Sequence, residues 1–120
     1  MPPDFTSLTI GDIEVVAEVL DTYSERVQGL SGRESLVQDH VLFFVFEEED
    51  FHGIWMKDMN FSIDIMWVNR DFEVVYIEEN VSPQTYPKVF RPEEKSLYVI
   101  ETVSNFIRDH RIKIGDRVKI

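Results

Sequence analysis

The sequence predicts an all-β (β-rich) fold, a compact and mostly antiparallel single domain of sandwich or barrel-like form with one or two short helices. Three observations carry that expectation. Short apolar runs rich in β-branched and aromatic residues recur along the 120 residues, separated by Gly, Asn, Asp and Pro. The run Val41 to Phe46 is apolar at every position, which marks a strand covered on both faces. Helix signals are confined to two short segments, near residues 21–29 and 105–110. A hydrophobic content of 43% in a chain of this length fits one core, and no linker divides it.

Leu8-Thr9-Ile10, Gly11-Asp12 and the run Ile13 to Leu20 read as a hairpin, with Gly11 at the first central position of a type II′ turn. Thr22 caps a helix that runs through Gln28, Glu25 completes a capping box three residues later, and Gly29 ends it. Val41 to Phe46 then forms the centre of the core, and Glu47 to Asp50 follows as an acidic loop. Phe51 to Met56 and Ile63 to Val68 read as strands on either side of Lys57-Asp58-Met59-Asn60. Asn69-Arg70-Asp71 turns into Phe72 to Glu79, whose alternation sets Phe72, Val74 and Tyr76 on one face and Val75 and Ile77 on the other. Pro83, Pro87 and Pro92 make residues 80–94 a long surface loop or an irregular edge. Ser96 to Val103 is a further strand, Asn105 to His110 a helical turn, and residues 112–120 extended segments around Gly115-Asp116. Ile10 to Ile13 and Ile114 to Arg117 look alike, but turn chemistry accounts for both.

The formal net charge is -11, and residues 1–60 hold 13 acidic against 3 basic side chains. Such a field disfavours nucleic acid and anionic membranes as partners. Only the tail is locally basic, with Arg108, Arg111, Lys113, Arg117 and Lys119, a pattern typical of a solvated rim. With no cysteine, disulfides, thiolate metal sites and cysteine nucleophiles are excluded. The opening Met1-Pro2-Pro3-Asp4 lacks the basic region and apolar core of a signal peptide, and Val41 to Phe46 is far too short to span a bilayer. A soluble chain is expected, either cytoplasmic or the mature part of an exported or anchored protein.

Several ordered segments carry a family likeness: Gly29-Leu30-Ser31-Gly32-Arg33, Leu42 to Phe46, Trp55-Met56-Lys57-Asp58-Met59, Ile63-Asp64-Ile65, Glu79 to Pro83 and Ile112 to Val118. Together they resemble the domain of unknown function 192 family over nearly the whole chain. The resemblance implies a compact, mostly antiparallel β fold with one or two short helices, and it implies no activity. His40-Val41 stands where relatives commonly have Gly-Met, and Ser62 where a proline is usual.

Chemistry-bearing patterns are sparse. Gly29 to Arg33 departs from a serine nucleophile elbow, because Arg33 stands where that turn needs glycine. His40, His52 and His110 form no metal-ligand pair by spacing, although folding could still gather His40, His52 and a carboxylate. Glu47 to Asp50 lacks calcium-loop spacing, and the 5 glycines form no phosphate cradle. No cofactor or metal is expected.

Two carboxylates inside apolar strands are more informative. Asp64 shares strand parity with Met66 and Val68, and Glu101 with Leu97, Val99 and Val103, so both should point where apolar side chains point. Buried carboxylates need partners, and Arg33 and Lys57 are the only basic residues between Val27 and Asn69. Arg33, Lys57, Asp64 and Glu101 are therefore expected to be mutually close, as a structural ion-pair network or as a polar site. Phe51, Trp55, Met56 and Trp67 read first as core. The favoured functional reading is a non-catalytic module that binds a small molecule, glycan or protein partner, with Arg33, His52, Trp55, Lys57, Asp64, Tyr86 and Glu101 as ligand-binding candidates. One alternative is an enzyme using Asp64 and Glu101 as acid and base in a common cleft. Another is a structural or interaction domain with a large exposed apolar patch. Oligomeric state and ligand identity are left open.

Overall fold

The computed structural model describes residues 4–120; Met1-Pro2-Pro3, read above against a signal peptide, lies outside the described residues. Strands β1 (Asp4–Ile10) and β2 (Ile13–Leu20) form the expected hairpin. Gly11 supplies a positive φ of 57° at its turn. Helix α1 (Tyr23–Gln28) starts at a complete capping box, with Thr22 and Glu25 bonded reciprocally, and stops at Gly29. Then come β3 (His40–Asp50), β4 (Ile54–Trp55), β5 (Ile63–Val68), β6 (Val74–Val81), β7 (Val89–Phe90), β8 (Ser96–Val103), α2 (Phe106–Asp109) and β9 (Val118–Lys119).

Strands make up 48% of the described residues, so the fold is mostly β with two short helices among them, as the sequence predicts. Seven strands form one curled sheet in the order β6-β5-β8-β3-β2-β1-β9, and β4 pairs with β7 as a small separate ribbon. Residues 115–118 bond to the start of β6, with Val74 N on Asp116 O at 2.9 Å and Val118 N on Phe72 O at 2.8 Å, so the curl closes at one end into a half-barrel. Every ladder is antiparallel except β2 with β3. A parallel pair cannot be joined by a tight turn and needs a long crossover. Residues 21–39, containing α1, are that crossover.

Both faces of the sheet are covered. The first core gathers Leu8, Val41, Phe43, Met66, Val74 and Ile100 with Phe106 and Ile107 of α2. The second gathers Leu42, Phe44, Ile65, Trp67 and Val99 beneath Leu30 of the crossover, Met56 and Phe90. β5 is buried at all six positions and β3 at Val41–Phe44, which explains their unbroken apolar sequence.

Four sequence expectations change. Glu47 to Asp50 is not a loop but the end of β3, where the ladder skips from Val45 opposite Tyr98 to Asp50 opposite Ser96 and bulges the acidic residues outward. Phe51 to Met56 shortens to the two residues of β4, and β6 and β7 extend into the proline-rich stretch that was expected to be loop or edge. The alternation of Phe72 to Ile77 breaks at a bulge: Val68 faces Val74 and Trp67 faces Tyr76, leaving Val75 unmatched. Val75 and Tyr76 therefore both pack on the second core while Ile77 joins the first.

One carboxylate pins the sheet to α2. Asp64 on β5 is 0% exposed. Its Oδ1 accepts Asn80 N at 2.7 Å and Asn105 N at 3.3 Å, and its Oδ2 accepts Ile107 N at 2.8 Å. Asn105 makes no side-chain cap for α2, so Asp64 takes the free N–H groups of that helix start instead. Asn80 and Asn105 hold φ of 52° and 72°, a region asparagine tolerates, and Asn80 Oδ1 further accepts Ser104 Oγ and Asn105 N.

An orphaned buried N–H costs about 1–3 kcal/mol, so Asp64→Ala is expected to lose about 3–5 kcal/mol of stability. Asp64→Asn, which keeps one acceptor, should lose less. Denaturant midpoints measure both; an unchanged midpoint for the alanine variant would remove Asp64 from this role.

Candidate ligand-binding site

Strand pairing places Glu18, Leu42, Glu101, Ile65 and Glu78 in one row across β2, β3, β8, β5 and β6, because each is the register partner of the next. Residues in one row share a face. Leu42 and Ile65 belong to the second core, so the Glu101 side chain enters that core and not the first. Asp64 is the partner of Thr102, one position on, and faces the opposite side.

The crossover meets this row through Arg33, whose Nη1 and Nη2 donate to the two carboxylate oxygens of Glu18 at 3.0 and 2.7 Å. That bonding holds the guanidinium still more firmly protonated than usual. Glu101 is 5% exposed, and among the described residues no group donates to its carboxylate. Burial pushes its pKa up to about 8, and the charge of Arg33 offsets this only in part. At neutral pH Glu101 is thus predominantly a carboxylic acid, able to donate one hydrogen bond and accept others.

Glu101 lines a cavity of about 440 Å³ between the crossover and the second core. Leu30, Phe44, Phe46, Ile54 and Met59 provide apolar wall, and Tyr23, Val27 and Trp55 form a rim that is 78%, 64% and 47% exposed. Arg26 is the cavity's only cation among the described residues. Its Nη1 donates to Asp21 O and Val45 O at 2.8 and 3.0 Å, with its guanidinium carbon 5.4 Å from the centre of the Phe46 ring. Gly29 is required at the base of α1: its φ is 47°, and a Cβ there would sit 3.3 Å from Phe44 Cζ. Two loops are stitched into one wall by Ser31 Oγ on Lys57 O, Gly32 N on Asp58 O and Asn60 Nδ2 on Arg33 O, each at 2.9 Å.

Of the sequence candidates, Glu101 and Trp55 line the cavity, and Arg33 stands beside Glu101 through Glu18. His52 and Tyr86 do not line it but touch residues that do. The His52 ring stacks on Phe46 at 3.7 Å with its Nε2 2.8 Å from Glu48 O, and Tyr86 packs on Trp55 at 5.1 Å. The expected cluster of four charges does not form. Lys57 sits on an exposed turn with Nζ 5.8 Å from the Trp55 ring centre, and Asp64 is enclosed on the other face by backbone donors. An acid and base pair of Asp64 and Glu101 in one cleft is therefore ruled out by register. His40 opens β3 and His52 lies beyond its far end, and among the described residues no three His, Asp or Glu side chains gather as a metal site. The sequence reading missed Arg26, Tyr23 and Val27, although Tyr23 and Val27, four residues apart on a capped two-turn helix, were a visible apolar pair.

Residues 6–120 match the family described as DUF192, Uncharacterized ACR. The chain belongs to the DUF192 family. Its fold is close to that of a "putative transcription regulator" from Sinorhizobium meliloti 1021, with a TM-score of 0.93, 22% identity, and 99% of this chain and 95% of that one covered. A protein of unknown function from Novosphingobium aromaticivorans gives a TM-score of 0.89 at 24% identity, covering 97% of this chain and 85% of that one. At such identities the likeness is one of fold. No curated protein matches this chain. No helix of this DUF192 chain among the described residues is long and apolar enough to cross a membrane.

The folded-state pKa of Glu101 lies above its unfolded value of 4.5, so its contribution to stability is full below that value and is lost as pH rises toward about 8. Glu101→Gln should remove this dependence. The difference in melting temperature, variant minus parent, is expected to grow between pH 5 and pH 8 and to level off above. A difference that stays constant across that range would place an ordinary carboxylate at Glu101.

Proposed function

We propose that this chain is a non-catalytic binding module for a small amphipathic molecule, seated between the crossover and the second core. The observation that carries this reading is the buried Glu101 carboxyl, without a protein hydrogen-bond partner, at an apolar cavity with an aromatic rim. A buried polar group is ordinarily satisfied, and a ligand supplies what the chain does not. Apolar walls take the body of such a ligand and Glu101 fixes its polar end. Three of the segments that carry the family resemblance, Gly29 to Arg33, Leu42 to Phe46 and Trp55 to Met59, contribute cavity residues. A reading as a two-carboxylate acid and base enzyme lacks its second member, since Glu101 is the only carboxylate on the cavity among the described residues. Direct contact with nucleic acid, which the name of the Sinorhizobium protein suggests, fits poorly with a net charge of -11.

A thermal-shift series of small amphipathic compounds at millimolar concentration tests the reading, because a ligand stabilises the folded state in proportion to its occupancy. At least one compound class should raise the melting temperature. Trp55→Ala, at the half-exposed rim, should abolish that rise and leave the unliganded melting temperature nearly unchanged. If no class gives a shift, the small-molecule reading falls, and Tyr23, Val27 and Trp55 become the place to seek a protein partner.

A further inference from the structure

We propose that the polar end of the ligand is an organic cation, a protonated or quaternary ammonium, which pairs with the Glu101 carboxylate while the body of the ligand lies against Phe46 and Trp55. This rests on the binding reading above and names its ligand class. The charge arrangement around Glu101 points to it. From β2, Glu18 faces the same row and accepts from Nη1 and Nη2 of Arg33, one of the two arginines of the crossover. From β6, Glu78 lies beyond Ile65 and is bonded by Tyr76 Oη at 2.9 Å. β3 and β5 contribute only Leu42 and Ile65 at this level. From α1, Arg26 donates to two backbone carbonyls. Of the three acidic side chains in the row, Glu18 and Glu78 have protein hydrogen-bond partners and Glu101 has none, and Arg33, already bonded to Glu18, is the one cation whose charge acts on Glu101.

A neutral ligand can hydrogen-bond the protonated Glu101 but leaves its charged form without a cation of its own. A cation supplies one and stabilises the charged form that burial disfavours. The walls suit a cation as well. Phe46 and Trp55 each already receive a protein cation near a ring face, at 5.4 Å from Arg26 and 5.8 Å from Lys57. The 13 acidic against 3 basic residues in the first half of the sequence, which supplies most of the cavity, would steer a cation toward it.

Three probes of one size separate the possibilities by calorimetry or nuclear magnetic resonance titration on the full chain: benzyltrimethylammonium, neutral N,N-dimethylbenzamide and anionic phenylacetate. The ammonium carries a fixed charge, so any pH dependence belongs to the protein. Its affinity should be the highest of the three above pH 8, and should rise by up to about tenfold per pH unit between pH 6 and 8, then flatten. Glu101→Gln should weaken it by at least about tenfold at pH 9 and flatten the profile. Because the pH profile is read on the unaltered chain, the result stands even if the variant folds poorly. Tighter binding of the benzamide or phenylacetate, strengthening as pH falls, would overturn the cation and leave the binding module in place. No binding by any probe at millimolar concentration would overturn both.

Discussion

The two faces of this sheet owe their different chemistry to how β5 and β8 are aligned. Side chains alternate along a strand, so a register in which Asp64 meets Thr102 and Ile65 meets Glu101 sends the two inward carboxylates in opposite directions. Asp64 arrives at the start of α2, where backbone donors surround it. Glu101 arrives under the crossover, where no donor reaches it. A slip of β5 by one residue would turn Asp64 onto the face of Glu101, away from its backbone donors. The alignment of β5 with β8 therefore also fixes the polarity of the cavity.

Much of this was legible in the chain itself. The Gly11-Asp12 turn, the capping box at Thr22 and Glu25, the unbroken apolar runs of β3 and β5 and the strand Ser96 to Val103 follow from local chemistry, and each lies where its residues placed it. The inward direction of Asp64 and Glu101 was also readable from parity. Their separation was not, because parity within one strand says nothing about alignment with another. Lys57 was misread for a related reason: scarcity of cations made it a counter-ion on paper, while the turn that begins at Met56 carries it outward to the Trp55 ring. Nor could spacing reveal that Arg33 would be engaged by Glu18, which joins it only through the parallel pairing of β2 with β3.

The acidic end of β3 shows the same limit in reverse. Glu47 to Asp50 has the composition of a loop, and composition is a fair guide where the backbone is free. Here the strand continues because Asp50 still pairs with Ser96, while the bulge between them releases the charged side chains from the ladder. The bulge leaves Val45 O free to accept Arg26, and so ties α1 to the sheet.

That tie has a consequence for how the molecule opens. The crossover carries a six-residue helix, too short to persist alone, and within residues 21–39 the bonds to the ladders are single or made by side chains: Arg26 on Val45 O, Arg33 on the Glu18 carboxylate, Val37 O accepting His40 N and Asp39 O accepting Val16 N. Amides in the sheet can exchange with solvent only when ladders separate, whereas those of α1 exchange when one short segment lifts. The wall of the cavity is thus held to the scaffold by Leu30 in the second core and by scattered bonds instead of a ladder, and its amides are expected to exchange before those of the seven-stranded sheet.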